Sequence, residues 1–326
     1  MKRYTLKIVT TSLIICLFSL AANATIWRVN LDPDAVADFT TSQAAHDAAS
    51  PGDTLFIEPA KSSQGPLTLS KQLFIMGVGY FLEDNYPNAS YPNAYSTAGP
   101  NYPIDYTFNP GSQGSVLTGL YVSSIDISAG NITIKGNYLS GDINLSLGAD
   151  NCIIENNYVR GFGSSADVTN TVIRNNRFRG TINVNESGMT FYNNILGGGS
   201  FTNQLMYNNI NIGGNNITLI NCVLSNNIDA RVGQTGFGTS DGNFGNVAES
   251  VIFVGGASTD GEYQLRSGSP AIGAGINGED CGMFGGSNPY KLSGLPPIPV
   301  FTKFTKPGIG NDTTPLQTTI SLESNN

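Results

Sequence analysis

Arg160, Arg174, Arg177 and Arg179 are the one local concentration of positive charge in an acidic chain. Guanidinium groups grouped this way can grip an acidic polysaccharide through bidentate contacts. They can equally balance the carboxylates of Glu155, Asp167 and Glu186 nearby. Tyr138 and Tyr158 occupy positions that correspond to Arg177, which allows a ring on a ring and a cation over a ring. Tyr138, Tyr158, Arg174, Arg177 and Arg179 are therefore the candidate ligand-binding set. The acidic residues Asp126, Asp142, Asp150, Glu155, Asp167 and Glu186 are scattered, although Asp142 and Asp150 can meet across a turn. Calcium needs six to eight oxygen ligands, so no metal is expected, and nothing points to a cofactor. Hydrolysis by two carboxylates needs a facing pair; Glu155 and Glu186 come nearest, in different columns. The only histidine, His46, reads as a surface residue of a short helix with no base-orienting partner close in sequence. A Ser-His-Asp triad in the central region is excluded, and the catalytic residues stay unassigned.

The elements that must position these side chains are short repeats. NITIKGNYL from Asn131, NCIIENNYV from Asn151, NTVIRNNRF from Asn170, GMTFYNNIL from Gly188 and NQLMYNNIN from Asn203 align with one another. Fainter copies begin at Val116 and Ile217. A marker asparagine recurs at Asn137, Asn157, Asn176, Asn194 and Asn209, with gaps of 20, 19, 18 and 15 residues. Apolar residues alternate within each repeat, as Ile132 and Ile134 or Met189 and Phe191 do, which is the period of a strand. A strand, a sharp turn at asparagine and a second strand make one corner of a β-solenoid whose coils stack at about 4.8 Å. An asparagine column can then turn each corner in the left-handed conformation and bond from coil to coil. One outward column reads Lys135, Glu155, Arg174, Tyr192, Tyr207, with opposite charges on adjacent coils. Another reads Tyr138, Tyr158, Arg177. The frame of a leucine-rich repeat and the period of a β-propeller are both missing.

The flanks complete the layout. Lys2, Arg3 and Lys7 precede an apolar run from Ile8 to Leu20 and the small-x-small pattern Ala22-Asn23-Ala24, so residues 1–24 read as a secretory signal peptide and not a membrane span. Export to the periplasm, cell surface or medium is the expectation, with no integral membrane segment after cleavage. Loss of the three basic residues takes the net charge from −8 to about −11, which argues against nucleic acid as a partner. Residues 25–290 read as the solenoid domain, begun by a cap helix over Thr41 to Ala49 that protects a sheet edge. Residues 83–114, with Tyr86, Tyr91, Tyr95, Tyr102 and Tyr106, read as an insertion loop. Residues 291–326 read as a tail, in which Thr318 to Leu322 can lie as a strand along the side. Cys152, Cys222 and Cys281 read as small buried thiols.

AHDAASPGDTLFIEP, from Ala45 to Pro59, resembles the opening coil of right-handed parallel β-helix proteins of the pectate-lyase-like superfamily. YQLRSGSPAIGAGINGEDCGMFGG, from Tyr263 to Gly286, resembles their closing region. The chain as a whole resembles exported β-helix proteins of Bacteroidetes-type bacteria. The resemblance implies an all-β, single-stranded, right-handed parallel β-helix, and its hand comes from that likeness alone. The activity does not follow, because many chemistries share this fold. Pectate lyases would bring clustered aspartates for calcium and an arginine base. Polygalacturonases would bring Asn-Thr-Asp, Asp-Asp and His-Gly; here Val172 follows Asn170-Thr171, and the other two motifs are absent. The Tyr-Gly and Asp-Pro-His signature of alginate epimerases is absent as well. The expectation is a non-catalytic surface or matrix protein, structural or polysaccharide-binding. The alternative is a polysaccharide lyase or glycoside hydrolase with an unrecognised site.

Overall fold

Inward positions of the repeats form continuous columns. Ile134, Ile154, Ile173, Phe191 and Met206 follow one another in strand register, and all are fully buried. A computed structural model describes residues 24–323 apart from 33, 61–64, 86–103, 166, 186–187, 214–215, 257–258, 297–298 and 306–317. The leader read over residues 1–24 falls outside the described residues except for Ala24, as do Tyr86, Tyr91, Tyr95, Tyr102 and Glu186.

The chain is an all-β parallel solenoid. A ten-stranded sheet runs from Ile26–Val29 through Thr133–Lys135 to Val223–Ser225, every neighbouring pair parallel. A fourteen-stranded sheet covers the remaining perimeter. It bends within Tyr121–Ile127, which pairs through Tyr121 and Val122 with Tyr138–Leu139 and through Ile125 to Ile127 with Asp142–Leu145. Each coil thus presents three faces around one apolar interior. Phe162, Phe178, Phe191 and Phe201 meet edge to face inside it, a geometry aromatic rings favour. No described helix is long and apolar enough to cross a membrane.

The asparagines divide two jobs that a single marker was expected to perform. The first of each pair takes the left-handed turn, with φ of 56° at Asn156, 54° at Asn175, 53° at Asn193 and 56° at Asn208. The second stays inside. Asn137, Asn157, Asn176, Asn194, Asn209 and Asn227 are fully buried, and each backbone N–H donates to the side-chain oxygen one coil on. The side-chain amides repeat that bond, for example Asn176 Nδ2 to Asn194 Oδ1 at 3.1 Å. Asn243 ends the ladder. A short amide tolerates the left-handed region where a β-branched residue would clash, and a buried amide needs partners at every polar atom. One side chain cannot be both the turn and the rail.

Helix α1 (Ser42–Ala48) caps the first coils, with the Thr41 hydroxyl accepting from Ala44 N. His46 is 3% exposed and not a surface residue: Nε2 accepts from Ser70 N at 3.1 Å, and Nδ1 lies 2.9 Å from Asp47. The stretch read as one insertion loop contains the strand Ile104–Phe108, which pairs with Leu67–Leu69 and places Tyr106 in the core. In the tail, Thr319–Glu323 pairs antiparallel with Val300–Thr305. Cys152 and Cys281 are buried and Cys222 half-buried, all three as free thiols.

Candidate functional site

The outward column on the ten-stranded face occurs as the alternation requires. Thr118, Lys135, Glu155, Arg174, Tyr192, Tyr207 and Ser225 are register partners in that order. Arg174 Nη2 lies 2.6 Å from Glu155 Oε2, and Arg174 Nη1 donates to the Tyr192 hydroxyl at 2.8 Å. The Tyr192 and Tyr207 rings stack with centroids 4.8 Å apart and planes 6° from parallel. Burial works against the Arg174 charge, but the bonds to Tyr192 and Glu155 outweigh it and hold the guanidinium pKa above its ordinary value. Burial, with Tyr192 and Glu279 nearby, raises the Tyr207 phenol.

A second wall comes from a part of the chain far away in sequence. Residues 274–294 run back along the asparagine corner, against the direction of the coils. Asn226 Nδ2 donates to Ala274 O at 2.8 Å, and Ile276 N donates to Asn208 Oδ1 at 2.9 Å. Lower down, Asn175 Nδ2 donates to Met283 O at 2.9 Å and Gly285 O at 2.8 Å. The left-handed asparagines that turn the corners therefore also hold this strap. Its foot is a buried clasp: Asp260, with no exposure, accepts from Asn85 Nδ2 at 2.8 Å, the Tyr290 hydroxyl at 3.0 Å and Ser293 N at 2.8 Å.

Between column and strap runs a groove. Its larger recess, about 350 Å³, lies among Arg174, Tyr192, Tyr207, Asn277, Glu279 and Asn288. A smaller, separate one of about 90 Å³ lies among Lys135, Glu155 and Lys291. Asn288 borders both and donates to Glu155 Oε2 at 2.9 Å. The same oxygen accepts from Arg174 Nε at 2.8 Å, so this carboxylate serves as a fixed acceptor holding the wall together. No family model, curated protein or solved structure matches this chain. What the groove can do therefore has to be argued from its own side chains. It offers ring surface, primary amides and charges of both signs along several rungs. Among the described residues no group of three or more His, Cys, Asp or Glu side chains is placed to hold a metal ion.

Of the five residues singled out in the sequence, only Arg174 lines this groove. Tyr138, Tyr158 and Arg177 do share a column, but the column is covered and does not face solvent freely. Tyr158 is 5% and Arg177 6% exposed; Tyr263 stands over Arg177 with its ring centroid 4.6 Å from the guanidinium carbon. Phe81 packs on Tyr138 and Tyr158 at centroid distances of 4.8 and 5.6 Å. Burial pushes the Tyr158 phenol far up. Arg179 remains exposed, its guanidinium 5.2 Å from the Tyr138 centroid and 5.4 Å from that of Tyr158. Arg160, paired with Asp142 at 2.9 Å, is the neighbour of Arg179 on the adjacent coil, while Arg174 lies on the ten-stranded face, so the arginines do not form one cluster. The groove residues Tyr192 and Tyr207 were visible as an outward column. Glu279, Asn277 and Asn288 carry no repeat signal that would have joined them to it.

Proposed function

We propose that this chain is an exported, non-catalytic solenoid that binds polysaccharide in the groove between the Lys135–Tyr207 column and the strap. The Arg174–Tyr192–Tyr207 stack facing Asn277, Glu279 and Asn288 carries the reading. Rings present apolar surface to the C–H faces of sugars, while amides and charged groups meet hydroxyls as donors or acceptors. The larger recess spans the rungs of Arg174, Tyr192 and Tyr207, each about 4.8 Å, which suits a stretch of an extended polymer. The net charge of −8 disfavours a phosphate backbone. Export is supported by the leader pattern in residues 1–24.

The test is a panel of neutral and acidic polysaccharides, measured both for binding and for new reducing ends or unsaturated products. The account expects binding to at least one polymer and no products. Tyr207→Ala removes ring contact worth about 0.5–1.5 kcal/mol, so affinity falls roughly 2- to 13-fold. Arg160→Ala, on another face, leaves it unchanged. Turnover of any polymer would replace this reading with the lyase or hydrolase alternative.

A further inference from the structure

The two ends of the solenoid are finished differently. At the N-terminal end, residues 35–39 lie along Ile26–Val29: Asp38 N and Phe39 N donate to Arg28 O at 3.0 and 3.1 Å, and Asn30 N donates to Phe39 O at 2.9 Å. Helix α1 closes the interior there with Ala45 and His46. At the C-terminal end Phe237, 2% exposed, plugs the core. The strands Ile217–Ile220 and Val223–Ser225 are nevertheless the last in their sheets. No described residue pairs with their outer edges. The core-facing Ile217, Leu219, Cys222 and Leu224 are only half-buried, whereas Phe201 and Met206 one coil below are fully buried. Ile220 is 51% and Val223 65% exposed. Residues 217–225 contain no charge and no proline, the usual devices that keep a sheet edge from pairing.

We infer that this end is an interface between two copies of the chain, joined end to end about a two-fold axis. The unpaired edges require another strand, and the half-open interior requires apolar cover. Copies of a chain with net charge −8 repel each other across charged surfaces, and the 217–225 edge is uncharged. The opposite end is already paired and carries Asp32, Asp34 and Asp38, so it offers no complementary edge. Like ends therefore meet, and the assembly closes at two instead of growing into a fibre.

Sedimentation of the full chain tests this, with hydrogen exchange over residues 217–225 as the second readout. The expected result is a concentration-dependent dimer in which those amides are protected. Ile220→Lys and Val223→Lys, on exposed side chains, are expected to raise the dimer dissociation constant at least about tenfold without changing circular dichroism or melting temperature. Ile26→Lys at the far end, where Ile26 is 62% exposed, leaves the dimer intact. A monomer at every concentration overturns the inference, as does a dimer that ignores both edge lysines or one dissolved by Ile26→Lys. Protection of 217–225 in a monomer, lost when the chain is cut after Leu295, also overturns it and names the tail as the occupant.

Discussion

Asn176→Ala removes one rail of the internal ladder and gives a calculable cost. Asn176 is fully buried, and its side chain makes five hydrogen bonds. Oδ1 accepts from Asn157 N at 2.9 Å and Asn157 Nδ2 at 3.0 Å; Nδ2 donates to Ile154 O and Arg174 O at 2.8 Å each and to Asn194 Oδ1 at 3.1 Å. Several abandoned partners keep another bond. Asn157 Nδ2 still reaches Ile134 O, Arg174 O still accepts from Asn156 N, and Asn194 Oδ1 still accepts from Asn176 N. The Asn157 backbone N–H loses its side-chain acceptor inside the protein, at about 1–3 kcal/mol. The other four bonds add about 0.5–1 kcal/mol each, so the total is about 3–7 kcal/mol. That is a large share of the roughly 5–15 kcal/mol that holds a typical domain folded. Equilibrium urea unfolding measures it, with Asn144→Ala as reference, since Asn144 is exposed and its side chain bonds only to Asp126. The reference change should stay within about 0.5 kcal/mol. A loss below about 1 kcal/mol for Asn176→Ala would refute the claim that the ladder is a principal source of stability.

Two further outcomes follow from the strap. Asp260→Ala strands Ser293 N and leaves the Tyr290 hydroxyl to Tyr80 and the Asn85 amide to the Ser293 hydroxyl, so hydrogen exchange over residues 276–294 should rise while the coils between Thr133 and Ser225 stay protected. Uniform protection in the variant would mean that the strap is held by its asparagine contacts alone. Burial pushes the Cys281 thiol up to about 12 from its ordinary 9.0. The folded state keeps the proton that the unfolded state releases, so this contribution is intact below about pH 9 and is lost as pH rises toward about 12. Wild-type stability should fall more steeply than that of Cys281→Ala across this window, by at most about 1.4 kcal/mol per pH unit. Parallel curves would show that the thiol is not held neutral.

The parts of the fold that were legible are those governed by local periodicity. Alternation gave the inward columns, and the marker spacing gave the register that pairs Glu155 with both Lys135 and Arg174. What failed was information carried by distant chain. Tyr138, Tyr158 and Arg177 form the expected column, yet Phe81 and Tyr263 cover it, and no pattern in either neighbourhood announces that contact. The strap wall of the groove is hidden for the same reason, because Asn277, Glu279 and Asn288 lie in an irregular glycine-rich stretch. His46 reads as a surface residue in the sequence because its partner, the backbone N–H of Ser70, belongs to another coil. Composition groups Tyr106 with a loop, although Ile104-Asp105-Tyr106-Thr107-Phe108 alternates as a strand does.

The most direct test of the groove as the binding site is a footprint. Hydrogen exchange would be recorded with and without whichever polysaccharide of the panel binds. The account predicts slowed exchange at residues 174–175, 192–193, 207–208 and 276–288, with the face containing Asn144 and Asn183 unchanged. Protection confined to that opposite face, or to the exposed Arg160 and Arg179, would contradict it.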